Sequence, residues 1–362
     1  MPKKTYLITG GAGFIGSNFI RFLLSTRQNI RVINVDKLTY AGNLENLKDI
    51  EENDNYFFYP YDICDQERID TLFKACDIDY VVNFAAESHV DRSIRNPEIF
   101  VQTNINGTRV LLDEALTHWK TGRGFRDGCK YIQISTDEVY GSLGESGYFT
   151  EKTPINPHSP YSASKAAADL LVLAYHDTFG LPVNITRCSN NYGPYQFPEK
   201  LIPLMISNCL SGKPLPVYGD GRNVRDWLHV LDHCEAIDTV IEKGLDGEVY
   251  NIGGHNERSN IEIVKTIIRT VREALDRADP RLPKIDDRLI CFVADRMGHD
   301  RRYAIDPEKI GKELGWKPKI MFDEGIRMTV RWYLTHSDWL AKVTSGEYRS
   351  YYEAYYGGLK HA

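Results

Sequence analysis

The chain has 362 residues, 42% hydrophobic and 26% charged, which excludes disorder as its main state and is long for one core. With 44 Lys and Arg against 50 Asp and Glu, net charge is −6 and the signs are mixed, so no nucleic-acid groove is expected. No apolar run reaches membrane-spanning length, Met1-Pro2-Lys3-Lys4 leads into a strand-like segment without a signal-peptide core, and the seven cysteines are scattered without a CxxC pair; a cytoplasmic protein with reduced thiols, no membrane partner and no metal is expected.

Residues 6–9 read as a strand, 14–24 as a helix and 31–35 as a strand, with further short strands at 56–61 and 80–84. Pro97 opens a helical stretch to Trp119, and 130–135 is the next strand. Ser159-Pro160 opens a helix that Gly180 ends, and 183–188 is again strand-like. This alternation implies an α/β fold, a Rossmann-type doubly wound parallel sheet with helices on both faces. After Cys188 the texture changes: 190–194 and 212–216 are rich in Asn, Gly and Pro and read as loops. A helix at 234–243 and a strand at 248–252 return to the sheet. The expected division is 1–188 plus about 224–252 as the nucleotide-binding domain, with 189–223 plus about 253–362 as a smaller C-terminal substrate-binding domain.

Thr9-Gly10-Gly11-Ala12-Gly13-Phe14-Ile15-Gly16 lies between the first strand and the first helix. Its glycines permit a tight turn and close backbone approach to a pyrophosphate, which the helix N-terminus attracts. G-x-G-x-x-G alone is weak, but the strand before it and the helix after it are the context it needs. Asp36, 20 residues after Gly16, suits the adenosine ribose hydroxyls and repels a 2′-phosphate, favouring NAD over NADP; Lys37 softens that preference. Asp62 reads either as an adenine-side ligand or as the cap of a helix at 66–74.

Tyr161 and Lys165 are one helical turn apart and share a face. A neighbouring ammonium and a positive nicotinamide favour the phenolate, which can take an alcohol proton as hydride leaves the carbon. At the end of the 130–135 strand stand Thr136, Asp137 and Glu138. Adjacent carboxyl groups in a shielded pocket split their pKa values, supplying a general acid and a general base at one place. Elimination of water needs that combination; the alternative is two solvated loop carboxylates or the cap of a following turn, which would win for an arbitrary Asp-Glu pair.

The glycine loop, Asn83-Phe84-Ala85-Ala86 and Tyr161-x-x-x-Lys165 resemble the extended short-chain dehydrogenase/reductase family, whose members modify nucleotide sugars on bound NAD(P). The stretches 85–93, 135–141, 159–165, 190–194, 199–203, 225–227, 250–254 and 298–303 are similar to its sugar-nucleotide dehydratases, and they cover nearly the whole chain. One departure is Met297, where the resemblance leads to Pro. The resemblance implies dTDP-glucose as substrate, and thymine over uracil rests on it alone. It implies an NAD site of Gly10, Gly13, Phe14, Ile15, Gly16, Asp36, Lys37, Leu38, Thr39, Asp62, Ile63, Phe84, Ala85, Ala86, Ser88, Thr103 and Asn191, with Tyr161 and Lys165. For substrate it implies Ser88, Thr136, Asn190, Lys200, Leu201, Pro216, Val217, Tyr218, Arg225, Asn260, Asp295, Arg296, Met297, Gly298 and His299. Arg225 reads as a bidentate phosphate ligand or as the ion-pair partner of Asp226.

The implied sequence of events is C4 oxidation with Tyr161 as base and Thr136 on the 4-oxygen, C5 deprotonation by Glu138, and protonation of the leaving 6-hydroxyl by Asp137. Hydride then returns to C6, and C5 is reprotonated. The apolar residues after Tyr161 (Ala166, Ala167, Ala168, Leu170, Leu171, Leu173) fit a homodimer through helices, as in this family, or packing inside one chain. A C4 epimerase and a non-catalytic NAD sensor are the competing functions; Asp137-Glu138 argues against the first, and intact Thr136, Tyr161 and Lys165 against the second.

Overall fold

The computed structural model describes residues 3–295 and 298–344. Seven strands form one sheet: β1 (Lys4–Thr9), β2 (Ile30–Val35), β3 (Tyr56–Tyr59), β4 (Tyr80–Asn83), β5 (Lys130–Thr136), β6 (Val183–Cys188) and β7 (Val249–Ile252). Their spatial order is β3-β2-β1-β4-β5-β6-β7, and every pairing is parallel. Such a sheet is hydrophobic on both faces, and the side chains alternate between two cores. Tyr6, Ile8, Val32, Val82 and Ile132 pack under the helices Phe14–Thr26 and Val230–Lys243. Leu7, Ile33, Val81 and Tyr131 pack on the other side, under Gln66–Ala75 and Thr108–Trp119. The order reverses between β1 and β4, and ligands bind at such a switch point beyond the carboxyl ends of the strands.

The registers align those ends. Thr9 pairs with Val35 on one side and Asn83 on the other, Asn83 with Gln133, and Thr136 with Cys188. Glycine loop, Asp36, Phe84, Asp137 and Ser189 therefore emerge along one edge.

The second half has its own core. Ile202, Met205, Val217, Ile263, Ile267, Phe322 and Val330 cluster among the helices Leu201–Ser211, Asn260–Ala274 and Phe322–Thr335. Two stretches expected as loops are strands. Asn190–Tyr192 pairs with Trp227–His229, and Leu215–Tyr218 with Ile290–Val293. Partners far along the chain overrode a local composition that favoured turns. Farther on, Ile310, Leu314 and Trp316 belong to the core under the large sheet.

The helical stretch after Pro97 is continuous but uneven: Pro97–Phe100 is α, Val101–Gly107 is π and Thr108–Trp119 is α. π turns inside helices recur at functional sites. The helix Pro160–Phe179 starts at a reciprocal Ser159/Ser162 capping box and stops at Gly180 in the left-handed region, the two boundaries its sequence signals. No helix among the described residues is long and apolar enough to cross a membrane.

Candidate active site

Gly10 has φ +68, and a Cβ there would stand 2.6 Å from the Ala85 nitrogen, so the chain passes from β1 under β4 only as glycine. A Cβ on Gly16 would stand 2.5 Å from the Gly10 carbonyl oxygen, which explains the last glycine of the loop. Ser17 N–H bonds to the Gly13 carbonyl as the helix begins. Asp36 holds the loop from β2: Oδ2 accepts the Ala12 N–H at 3.0 Å and Oδ1 the Leu38 N–H at 2.8 Å. Burial raises its carboxyl above the usual range against these two bonds. Its oxygens keep lone pairs for ribose hydroxyls. Lys37 is tied down at 3.1 Å to Asp62 Oδ2. Asp62 also accepts the Cys64 N–H at 2.9 Å, and the helix Gln66–Ala75 is capped by Asp65 instead. Of the two readings of Asp62, the cap is thus excluded.

Beneath the loop edge, Asn83 joins three strands: its Oδ1 accepts from Thr9 Oγ1 at 2.6 Å and its Nδ2 donates to Gln133 Oε1 at 3.0 Å. Thr136 ends β5 and caps the short turn Asp137–Tyr140, accepting the Glu138 N–H at 3.3 Å. The turn folds Asp137 inward, 2% exposed, while Glu138 stays half-buried. Burial first, then the Glu138 charge, push the Asp137 carboxyl up to about 8, with Arg225 opposing. At neutral pH it is protonated, whereas an ordinary Asp is ionised.

Across the cleft, Lys165 is buried and its Nζ donates to the Ile134 carbonyl at 2.7 Å. Desolvation lowers its pKa. Tyr161 is raised well above the ordinary tyrosine value, by burial and then by Glu138, with the Thr136 hydroxyl opposing. The neighbouring ammonium expected to favour the phenolate is thus committed to a strand carbonyl, and in this state Tyr161 is held neutral. Positive charge arriving with a cofactor is what shifts it.

A cleft of about 320 Å³ brings these groups together. Gly10, Gly13, Phe14, Ile15, Gly16, Asp36, Lys37, Thr39, Asp62, Ile63, Phe84, Ala85, Ala86, Ser88 and Thr103 line the nucleotide end. Thr136, Asp137, Glu138, Tyr161, Lys165, Asn190, Asn191 and Lys200 line the rest. Leu38, Leu201, Pro216, Val217, Tyr218, Arg225, Asn260, Asp295, Gly298 and His299 lie outside that lining. Several of these contact one another or their neighbours. His299 Nδ1 sits 2.6 Å from Asp295 Oδ1, and its ring meets Tyr218 edge-on at 6.3 Å. Arg225 donates to the carbonyls of Val224 and Asp300, and its guanidinium lies 4.2 Å from the Tyr303 ring. Asp226 faces away, accepting the Gly254 and Asn256 N–H groups at 2.7 Å each. Arg296 and Met297 lie outside the described residues.

This geometry has counterparts. A family model described as GDP-mannose 4,6 dehydratase matches residues 7–329. The chain belongs to that family. A dTDP-glucose 4,6-dehydratase of Xanthomonas campestris pv. campestris (strain B100) is 55% identical over 346 residues, 95% of this chain and 97% of the relative. The structure of the Bacillus anthracis dTDP-glucose 4,6-dehydratase in complex with NAD superposes with a TM-score of 0.83 at 49% identity, covering 94% of this chain and 99% of that one. The Streptomyces venezuelae dTDP-glucose 4,6-dehydratase, with NAD and TYD bound, gives a TM-score of 0.84 at 44% identity and the same coverage.

In this member of the GDP-mannose 4,6 dehydratase family, residues to which sequence reasoning gave no role stand in or behind the cleft. Asn104, on the π turn, accepts the Glu87 N–H at 2.8 Å and donates to Ser164 Oγ at 2.8 Å, tying the loop after β4 to the Tyr161 helix. Glu199 lines the cleft as a buried carboxyl raised by burial, 3.8 Å from His89 Nε2. A lone Asn in a helix carries no sequence signal; Glu199 stood in a quoted motif, and only its burial marks it out.

Proposed function

We propose that this chain converts dTDP-glucose to dTDP-4-keto-6-deoxyglucose, as a hydro-lyase of deoxysugar biosynthesis (rhamnose, for example), with NAD regenerated in each turnover. The carrying observation is a protonated, buried Asp137 beside Thr136 and Glu138, sharing one cleft with Tyr161 and Lys165. The glycine cradle against Ala85 and the Asp36 carboxylate fit a dinucleotide. When bound there, NAD supplies the hydride acceptor at C4 and the donor at C6.

The protein's own groups do the rest. Tyr161 takes the 4-hydroxyl proton, and Thr136 hydrogen-bonds the 4-oxygen. The new ketone acidifies C5–H, which Glu138 removes. Asp137 protonates the departing 6-hydroxyl, so water leaves rather than hydroxide, and once hydride has added to C6 the C5 carbon is reprotonated. An epimerase needs neither of the last two groups, and a buried Asp137 next to a half-buried Glu138 is what favours dehydration. Lys200, which donates to the Ser88 carbonyl at 3.2 Å, and Arg225 stand for the sugar-diphosphate end. The division of labour follows the two cores, nucleotide on the large sheet and sugar nucleoside on the second. A cytoplasmic homodimer through helices completes the reading. Leu170 is 55% exposed on the Tyr161 helix, and Ile94 and Ile99 are exposed on helices packed beside it.

The test is turnover of dTDP-glucose in deuterated water. Loss of water with deuterium at C5 supports the reading; inverted C4 without water loss points to an epimerase, and no turnover sinks both. Glu138→Gln is expected to stop elimination, by about 10²–10⁴-fold, while C4 oxidation persists. Normal turnover by that variant removes Glu138 from the role of base.

A further inference from the structure

The oxidation pair and the elimination pair stand on different elements. Tyr161 and Lys165 ride the helix Pro160–Phe179; Asp137 and Glu138 ride the turn Asp137–Tyr140. Thr136 is fixed by β-ladder pairing with Cys188, and its hydroxyl caps the start of that turn and reaches Asp137 Oδ1 at 3.3 Å. The turn is only four residues long, ends at Gly141 with φ +87, and has little regular structure of its own to define where the two carboxyl groups point.

Thr136 holds its start, and its far end is held behind the cleft. Tyr140, the last residue of the turn, is 3% exposed and stacks on Phe149 at 5.1 Å. Its hydroxyl donates to Asn251 Oδ1 of β7 at 2.7 Å and accepts from Arg187 Nη1 of β6 at 3.0 Å. The Arg187 guanidinium also lies 4.9 Å from the Tyr140 ring. Arg187 donates through Nε to Asp169 Oδ2 at 2.9 Å, and both residues are buried. Asp169 stands one helical turn beyond Lys165 on the catalytic helix. Asn251 is fixed in turn, its N–H bonded to Glu151 Oε1 at 2.8 Å and its Nδ2 to the Phe149 carbonyl at 3.1 Å. A buried ion pair and hydroxyl arranged only for stability would be matched by apolar packing. Here the polar chain joins the two catalytic elements and ends on the one with the least structure.

Resting on the function proposed above, we propose that Tyr140 is a positioning residue: its hydroxyl, held by Arg187 and Asn251, sets the elimination carboxyl groups in register with the helix that performs the oxidation. Loss of the hydroxyl loosens the turn but leaves Thr136 on its ladder and Lys165 on the Ile134 carbonyl. Elimination should fail while oxidation continues.

The experiment mixes NAD-loaded protein rapidly with dTDP-glucose and follows reduced nicotinamide by its near-ultraviolet absorbance, with C5 deuterium content read in parallel. In Tyr140→Phe the rise of reduced nicotinamide should keep its rate within about twofold. Its decay and C5 exchange should slow by about 10- to 100-fold, the scale of a group misplaced by an ångström, so that reduced cofactor accumulates. Arg187→Lys, which keeps the charge opposite Asp169 but withdraws the fork from Tyr140, should give the same signature more weakly. Unchanged decay in Tyr140→Phe, or equal slowing of rise and decay in both variants, overturns the proposal and leaves Tyr140 a structural anchor. Absence of any rise or product in the unaltered chain overturns the function on which the proposal rests and the proposal with it.

Discussion

On the function proposed above, the residue whose state decides the chemistry is Asp137. Burial and the Glu138 charge raise its carboxyl to about 8, so it carries a proton where an exposed aspartate has lost it. The elimination step should therefore hold through neutral pH and decline as pH rises through about 8, measured as C5 deuterium incorporation. A step that strengthens through that range contradicts the acid role. Stability follows the same group. Between the unfolded value near 4 and the folded value near 8 the native state binds the extra proton, so stability falls as pH rises across that window. Asp137→Asn should lose elimination by about 10²–10⁴-fold and flatten that pH slope in thermal melts. The pair was legible in the sequence because two carboxyl groups followed a hydroxyl at a strand end. Which of them was buried was not, since a residue's depth in a turn depends on what folds over it. The spacing of Tyr161 and Lys165 was legible, but the bond from Lys165 to the Ile134 carbonyl was not, because it depends on which strand the helix packs against.

At the scale of elements, the glycine loop shows why some boundaries were readable. Strand, glycines and helix each left a local signal, and the Ser159 cap and Gly180 stop did the same for the Tyr161 helix. The strands Asn190–Tyr192 and Leu215–Tyr218 left none, because their pairing partners lie tens of residues away. The loop also supports a sharp prediction. Gly10→Ala adds a Cβ 2.6 Å from Ala85 N and 2.7 Å from its Cα, backbone atoms that cannot swing aside, at a φ that costs an L-residue about 1–2 kcal/mol. That variant should melt lower and purify without NAD. Gly122→Ala, where a Cβ meets nothing within 4 Å, should do neither. Equal behaviour of the two would mean that the loop tolerates the displacement and that its fit to a dinucleotide has been misread.

Across the whole molecule a chain of hydrogen bonds joins the second core to the glycine loop. The helix Ser337–Val343 belongs to the second core, yet its Trp339 donates through Nε1 to Asn46 Oδ1 at 2.9 Å, and Lys342 pairs with Glu45 at 2.7 Å. Asn46 in turn donates to the Ala12 carbonyl at 2.8 Å, inside the glycine loop. Asn46 is buried, so an acceptor deprived of its donor there costs about 1–3 kcal/mol. Trp339→Phe keeps an aromatic ring against Trp332 and Tyr195 but withdraws that donor. If Asn46 relaxes toward another partner it pulls on Ala12, and the loop loses its fit to the dinucleotide. The expected result is faster release of NAD, by up to about tenfold if some 1.4 kcal/mol of the loss reaches the loop, with turnover restored by added NAD. Release is read by trapping free cofactor after dilution. A variant that melts lower but holds NAD as long as the unaltered chain would confine Trp339 to packing, and would place cofactor retention wholly within the large sheet's own loop.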